Sequence, residues 1–492
     1  MQKDSLRRSL AFLRDRLNGI KDEQESLRRK VGDLESELVA IERRCHEVVN
    51  QIFPISELPH EILGAIFTNS ASPNLTVAGL KIEVVLSHVS RRWRDVAIRT
   101  PHIWKNVTVS PQNPSHREML ELYLERSGAL PFNIKLSTYG KNNITPDAYA
   151  FITPLAEVIA RSALRLCRFY VEWSLPQIYL HELLEILRPL SAPLLQDLCI
   201  IGHSPAETEE GGRAHRLFSG GVPSLRSLTL KRSSFISCTP VVTSVTKLQL
   251  YEHAIFSNSL ISSFCHTLSA LPLLEHLELS AGFVVPDNTI FELPSLTHLG
   301  LRPVVDGELP SFMRSTIAPK LKKLVFEAIM AYDLDFLAAT AQGVYQGVSS
   351  LTVAQSYGHS FSLSTWNVIV NAFPNVEEFI FSFCDDTHDF ITILKEEKGI
   401  SSTFAWPKLR SLTVSDKILR ADDGSSSTLP LGELIAARYQ AGLAIKQLFI
   451  TQRLWEELDS SEATKLNLGG VHISLRDLYA SSQHIVDWHP VE

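Results

Sequence analysis

The chain has 492 residues, 45% of them hydrophobic and 21% charged, a balance that belongs to folded globular protein and excludes extended disorder. Its formal net charge of −7 offers no overall attraction to nucleic acid or anionic lipid, so neither is expected as a partner. No apolar run is long enough to cross a bilayer, and the charged N-terminus is unlike a secretory signal, so no membrane association is expected. Cys45, Cys167, Cys199, Cys238, Cys265 and Cys384 are scattered singly, as reduced thiols are, which points to a cytoplasmic or nuclear setting. This length accommodates two or more domains.

Residues 1–52 place apolar side chains at 6, 10, 13, 17, 20, 27, 31, 34, 38, 41, 48 and 52, in alternating steps of four and three broken at Gln24 and Cys45. A roughly 3.5-residue repeat sustained this long predicts a coiled-coil helix. Leu10, Leu17, Gln24, Val31 and Leu38 form one row, with Gln24 as the polar residue that sets register. In a parallel homodimer Glu23 would meet Arg28 and Lys30 would meet Glu35. Arg16 would then oppose Lys21, and Glu37 would oppose Glu42. Charge therefore leaves open a homodimer, a different coiled-coil partner, and a helix lying on the protein's own surface.

Residues 53–108 have another character. Leu58 and Pro59 precede a segment in which Ile62, Leu63, Ile66 and Phe67 recur at helical spacing. Pro59 suits a first turn, where no N–H is needed. A second stripe, Leu86, Val89, Trp93 and Val96 or Ala97, carries Arg91, Arg92, Arg94 and Asp95 between its apolar positions. Pro101 ends that helix, and Trp104 is expected to return to the same core. So short a module buries too little surface to be secure alone, and its apolar faces are expected to dock on a partner.

The series Leu58-Pro59, Ile62-Leu63, Ile66-Phe67, Val89, Arg92-Trp93-Arg94, Ala97, Pro101 and Trp104 resembles the F-box. That is the segment by which substrate receptors of SCF-type ubiquitin ligases attach to a SKP-type adaptor and through it to a cullin. The resemblance implies that Leu58, Pro59, Ile62, Leu63, Ile66, Phe67, Val89, Trp93 and Trp104 bind the adaptor. The stretch Asn69–Val85 is longer and more polar than the usual connection in that family. A heptad helix directly ahead of the module is similar to many F-box proteins of mushroom-forming fungi.

From about residue 160 a short pattern returns, apolar-x-x-apolar-x-apolar with proline ahead of it. It runs through Ala192–Leu198, Val222–Leu230, Leu271–Leu279 and Leu293–Leu301, and continues at Ala318–Leu321, Phe373–Val376 and Trp406–Leu409. Weaker copies begin at Leu166, Val245, Val348 and Ile445, and the period wanders between twenty and thirty-six residues. Each such strand is too short to stand alone, but stacked parallel strands complete one ladder and one core. The pattern resembles an irregular leucine-rich-repeat solenoid over 160–492, which implies an α/β fold with a parallel sheet on a concave face. Residues 109–159 are then a connecting segment or a solenoid cap. The asparagine usual after the strand is missing, with Ser233, His253, Gly282 and Val304 in its place.

Strand positions between the core residues face outward in such a solenoid. Tyr170, Lys231, Gln249, Tyr251, His276, Glu278, His298, Arg302, Lys323 and Glu327 are therefore the candidates for contact with a protein target, the plain alternative being a solvated sheet surface. No serine nucleophile elbow, phosphate loop, dinucleotide turn or paired-cysteine zinc spacing occurs. The seventeen histidines are spread along the chain, and Cys45-His46 and Cys265-His266 lack further residues at ligand spacing. No catalytic activity, cofactor or metal is expected. The resemblance implies a substrate-recognition subunit of an SCF-type ubiquitin ligase, and the alternative is a non-catalytic scaffold that uses the F-box and coiled coil in cullin-independent assembly.

Overall fold

The heptad segment forms one continuous helix, α1 (Gln2–Ile52), because its apolar spacing keeps one stripe along a helical surface. Leu10, Leu17, Val31 and Leu38 on that stripe are each more than half exposed. The structure, a computed structural model, describes residues 2–52, 55, 57–71, 76–77, 80–138, 152–174, 177–202, 217–231, 243–251, 258–280, 285–286, 289–303, 306–339, 345–355, 361–383, 388–395, 397–398, 403–416, 431–451, 455 and 471–475. Ser233, His253, Gly282 and Val304 lie outside these residues. Among the described helices, none is long and apolar enough to cross a membrane.

The chain divides into two units, Met1–Thr100 and Pro101–Glu492. In the first, α1 is followed by α2 (His60–Ser70), the short antiparallel pair β1 (Thr76–Val77) and β2 (Leu80–Lys81), α3 (Ile82–Val89) and α4 (Arg91–Ile98). Pro59 occupies the position before α2, and its carbonyl accepts the first helical bond from Leu63 N–H at 3.1 Å. Ser90 separates α3 from α4 and caps the latter, its Oγ accepting from Trp93 N–H at 3.2 Å.

The second unit is built on a 14-stranded sheet that opens with β3 (Asn106–Val109), β4 (Phe132–Ser137) and β5 (Leu166–Glu172). It continues through β6 (Asp197–Ile201), β7 (Ser227–Lys231), β8 (Lys247–Tyr251) and β9 (His276–Ser280). β10 (Phe291–Glu292) pairs aside with β12 (Thr316–Ile317), while β11 (His298–Arg302) and β13 (Lys323–Ile329) stay in the main sheet. β14 (Ser350–Gln355) and β15 (Glu378–Phe383) follow, then a small hairpin of β16 (Glu397–Lys398) and β17 (Thr403–Phe404). β18 (Ser411–Asp416), β19 (Gln447–Ile450) and β20 (His472–Leu475) complete the order. Neighbours in the main sheet follow one another along the chain and run parallel, from β3 at one edge to β20 at the other, so the sheet is open and closes into no barrel. It begins at Asn106, so residues 109–159 carry β4 as an integral strand.

Register explains why the sheet forms. Leu228, Leu248, Leu277, Leu299, Leu324, Leu351, Phe379, Leu412 and Leu448 stand opposite one another across successive strands. All of them are buried, whereas the intervening positions of β6 and β8 alternate with partial exposure. One face is therefore core; the other is part-exposed on β6 and β8, while Tyr170 of β5, Thr229 of β7 and Thr413 of β18 are buried on it. Helices in the return segments cover the core face; Trp366, on the helix Leu363–Ala372, meets Phe381 edge-on at 5.0 Å.

The recurrent proline serves the turn that precedes the strands where it occurs, β6, β9, β11 and β18 among them. Leu195 N–H donates to Ala192 O at 3.1 Å, Leu274 to Leu271 at 3.2 Å, Leu296 to Leu293 at 3.2 Å and Leu409 to Trp406 at 3.0 Å. Proline is the second residue of each turn, where its fixed φ is an advantage and its missing N–H no loss. Beyond the turn, two consecutive N–H groups share one carbonyl of the preceding repeat. Glu275 and His276 donate to Thr246 O, Thr297 and His298 to Glu275 O, and Lys322 and Lys323 to Thr297 O. This backbone relay pins each main-sheet strand from β7 to β19 to its predecessor before the ladder proper begins.

Candidate functional site

Two regions carry the side chains singled out in the sequence. In the first unit, Leu63 and Phe67 of α2 are wholly buried, and Phe67 packs on Trp93 with ring centroids 5.0 Å apart. Arg92 donates to the Leu58 carbonyl, tying the approach to α2 onto α4. Arg94 Nε donates to Ser87 O at 2.9 Å, tying α4 to α3. These bonds give the basic residues a structural use. Ile62, Ile66 and Val89 remain 49%, 40% and 48% exposed, Pro59 is exposed, and Leu58 and Trp93 are half-buried. Leu63 and Phe67 thus present no surface of their own and act by holding their neighbours outward.

Trp104 corrects an expectation. It belongs to the second unit, where it is wholly buried, edge-on to Tyr123 at 5.1 Å and under the Arg126 guanidinium at 4.3 Å. The 3₁₀ turn Pro101–Trp104 leads straight into β3, so this indole seals the first strand and its following helix.

In the second unit all ten outward candidates lie on strands of the main sheet, and five of them converge. His276 and Glu278 project from β9 and His298 from β11, with His298 in register with His276. The two imidazoles stack at 3.9 Å with 24° between their planes. Both direct Nε2 to the same carboxylate oxygen, Glu278 Oε1, at 2.6 Å from His276 and 3.9 Å from His298. The other oxygen, Oε2, accepts from Gln249 Nε2 at 2.8 Å and from the Tyr251 hydroxyl. Gln249 is itself held by Thr229, whose hydroxyl donates to Gln249 Oε1 at 3.0 Å. Gly300 stands opposite Glu278 and leaves the space that its side chain crosses.

The electrostatics follow from this crowding. Burial works to raise the Glu278 pKa, but hydrogen bonds from His276, Tyr251 and Gln249 outweigh it and hold the carboxyl down at about 2. Burial, reinforced by His276 and Lys323, pushes His298 down to about 4. Burial and the Glu278 charge together raise Tyr251, which keeps its phenol protonated as a donor.

The remaining candidates lie around or away from this cluster. Lys323 is in register with His298, Lys231 with Tyr251, and Arg302 with Ser280. Glu327 is exposed toward the far end of β13. Tyr170 is three strands away from β8 and buried, with Lys135 Nζ 4.8 Å above its ring. The view of the histidines as dispersed is corrected here: 22 positions apart in the chain, His276 and His298 touch because each occupies the same place in its repeat, Glu-His-Leu-Glu-Leu and Thr-His-Leu-Gly-Leu. That shared phase was the available signal. Gly300 carried none, because its importance depends on which residue lies across the ladder.

No family model matches this sequence, and no curated protein matches it significantly.

Proposed function

We propose that the chain is the substrate-recognition subunit of an SCF-type ubiquitin ligase, with residues 53–107 as an F-box and the strand-turn-helix units as an irregular leucine-rich-repeat solenoid. The observation that carries this reading is the partition of apolar residues on α2 and α3. Leu63 and Phe67 satisfy the module's own core, while Ile62, Ile66 and Val89 stay exposed in the same helices. An ordinary core helix would have no reason to keep this second apolar set in water, whereas a handle for an adaptor requires it. The open face of the sheet, with its mixed imidazole, carboxylate, amide and phenol groups, is the target-binding surface. The contribution to ubiquitin transfer is proximity: tethering a target raises the local concentration of its lysines near the thioester held by other subunits. The chain needs no nucleophile of its own for that role.

The test is capture of the full chain with a SKP-type adaptor and cullin. The double change Leu58→Ala/Pro59→Ala is expected to abolish capture, and retention of adaptor by that variant would overturn the placement. The exposed stripe of α1 favours a second reading, a scaffold that joins heptad helices without cullin. Recovery of adaptor and α1 partners in the absence of cullin would select it.

A further inference from the structure

We infer that His276, Glu278 and His298 form a site for a zinc-class divalent metal ion on the open face of the sheet. The three residues offer one ligand atom each, and these atoms lie within 4.8 Å of one another. Two imidazole nitrogens and one carboxylate oxygen are the mixed donor set that zinc takes in sites with an open position. Tetrahedral bonding at about 2.0–2.1 Å places ligand atoms about 3.3 Å apart. The 2.6 Å contact from His276 must therefore widen, and the 3.9 Å contact from His298 must close, by about 0.6–0.7 Å each. The two imidazole nitrogens, at most 4.8 Å apart, must likewise draw in toward that spacing, and the adjustment asked of the site is rotation of its three side chains.

The surroundings are arranged for the same end. Gln249 and Tyr251 occupy Oε2 of Glu278, so Oε1 alone is presented and the carboxylate binds through one oxygen. Gly300 keeps the path of Glu278 clear toward His298. The side chains of His276, Glu278 and His298 retain 25%, 25% and 19% of their exposure, which leaves a way in from solvent. Lys247 and Lys323 stand in register on either side of the histidine pair. A cation held there by general negative potential would be repelled, so it must be held by directed bonds to nitrogen. That selects zinc-class ions over calcium and magnesium, which take sets of oxygen ligands. Three protein ligands leave a fourth position on the open face, available to water or to a side chain of a bound protein.

The test uses the full chain, stripped with a chelator and then titrated with Zn²⁺ against a chromophoric competitor. One tight equivalent is expected, undisturbed by millimolar Ca²⁺ or Mg²⁺. Co²⁺ on the unaltered chain is expected to give the visible absorption of a four- or five-coordinate ion, a readout that needs no variant. His276→Gln and His298→Gln should each weaken Zn²⁺ by at least about 100-fold, and Tyr251→Phe by about tenfold as an orienting partner. His266→Gln, on an exposed helical position, should change nothing. Absence of a tight Zn²⁺ equivalent, or its survival in both His276→Gln and His298→Gln, overturns the assignment.

Discussion

Gly300 faces Glu278 across the pairing of β9 with β11, and a Cβ at residue 300 would come within 2.9 Å of the Glu278 Cγ. Real Cβ atoms do not approach so closely, so an alanine here displaces the carboxylate. Gly300→Ala is expected to break the bonds from Gln249 and Tyr251 and to weaken Zn²⁺ by about tenfold. Overall stability should change by less than ~1 kcal/mol, since alanine also removes the entropic cost of a strand glycine. Metal competition and urea unfolding, run side by side, check the separation. A fully retained site would mean that Glu278 is not held where the geometry requires it.

Ile66 and Phe67 are adjacent on α2 but have opposite surroundings, one 40% exposed and the other wholly buried against Trp93. Ile66→Asp should leave the helical module folded and abolish adaptor capture. Phe67→Ala should cost about 3–4 kcal/mol of stability as the cavity beside Trp93 opens, and lose capture as a consequence. Circular dichroism melts with parallel pull-downs distinguish the two. If Ile66→Asp still captured adaptor, that face of α2 would not be the handle.

Arg438 is a buried cation on the helix Leu431–Gln440, donating to Ala405 O at 2.8 Å and Trp406 O at 2.7 Å, with a longer contact to Leu394 O at 3.4 Å. Burial lowers its guanidinium to about 10, which still leaves it charged at neutral pH. The same fork restrains Trp406, whose backbone holds a left-handed φ of 47°. Arg438→Lys cannot reproduce the fork and is expected to cost ~2–3 kcal/mol; Arg438→Ala leaves the carbonyls bare and should cost more. Denaturant unfolding measures both. A neutral Arg438→Lys would show that charge alone, and not the planar donor geometry, holds this corner.

Gly19 and Gly32 present the opposite case to Gly300. Both lie within α1 with nothing close to where a Cβ would point. Gly19→Ala and Gly32→Ala should each stabilise the helix by up to ~1 kcal/mol. The expected signature is higher helical ellipticity and slower amide exchange in α1, with the main sheet's unfolding unchanged. Loss of helicity on either change would mean that these glycines meet a partner too closely to admit a methyl group.

The sequence by itself determined the parts that depend on neighbours within a turn or two. The spacing of Leu10, Leu17, Val31 and Leu38 dictated one long helix, because a single apolar stripe follows helical geometry whatever lies beside it. Alternation such as Leu277-Glu278-Leu279, with proline three to five residues ahead, dictated short strands buried on one face and stacked in parallel. The tertiary structure alone decided which outward residues meet. Stacking of His276 on His298, the claim of Gly300 on the space beside Glu278, and the burial of Arg438 against Ala405 and Trp406 each rest on register between residues twenty or more positions apart. Trp104 shows the same limit: its spacing along the chain did not reveal that it packs edge-on against Tyr123 in the second unit. Local sterics and solvent partition act through adjacent residues and can be read along a chain. Convergence of side chains is set by how separate segments align, and a one-residue change of register would have dispersed every group in the cluster.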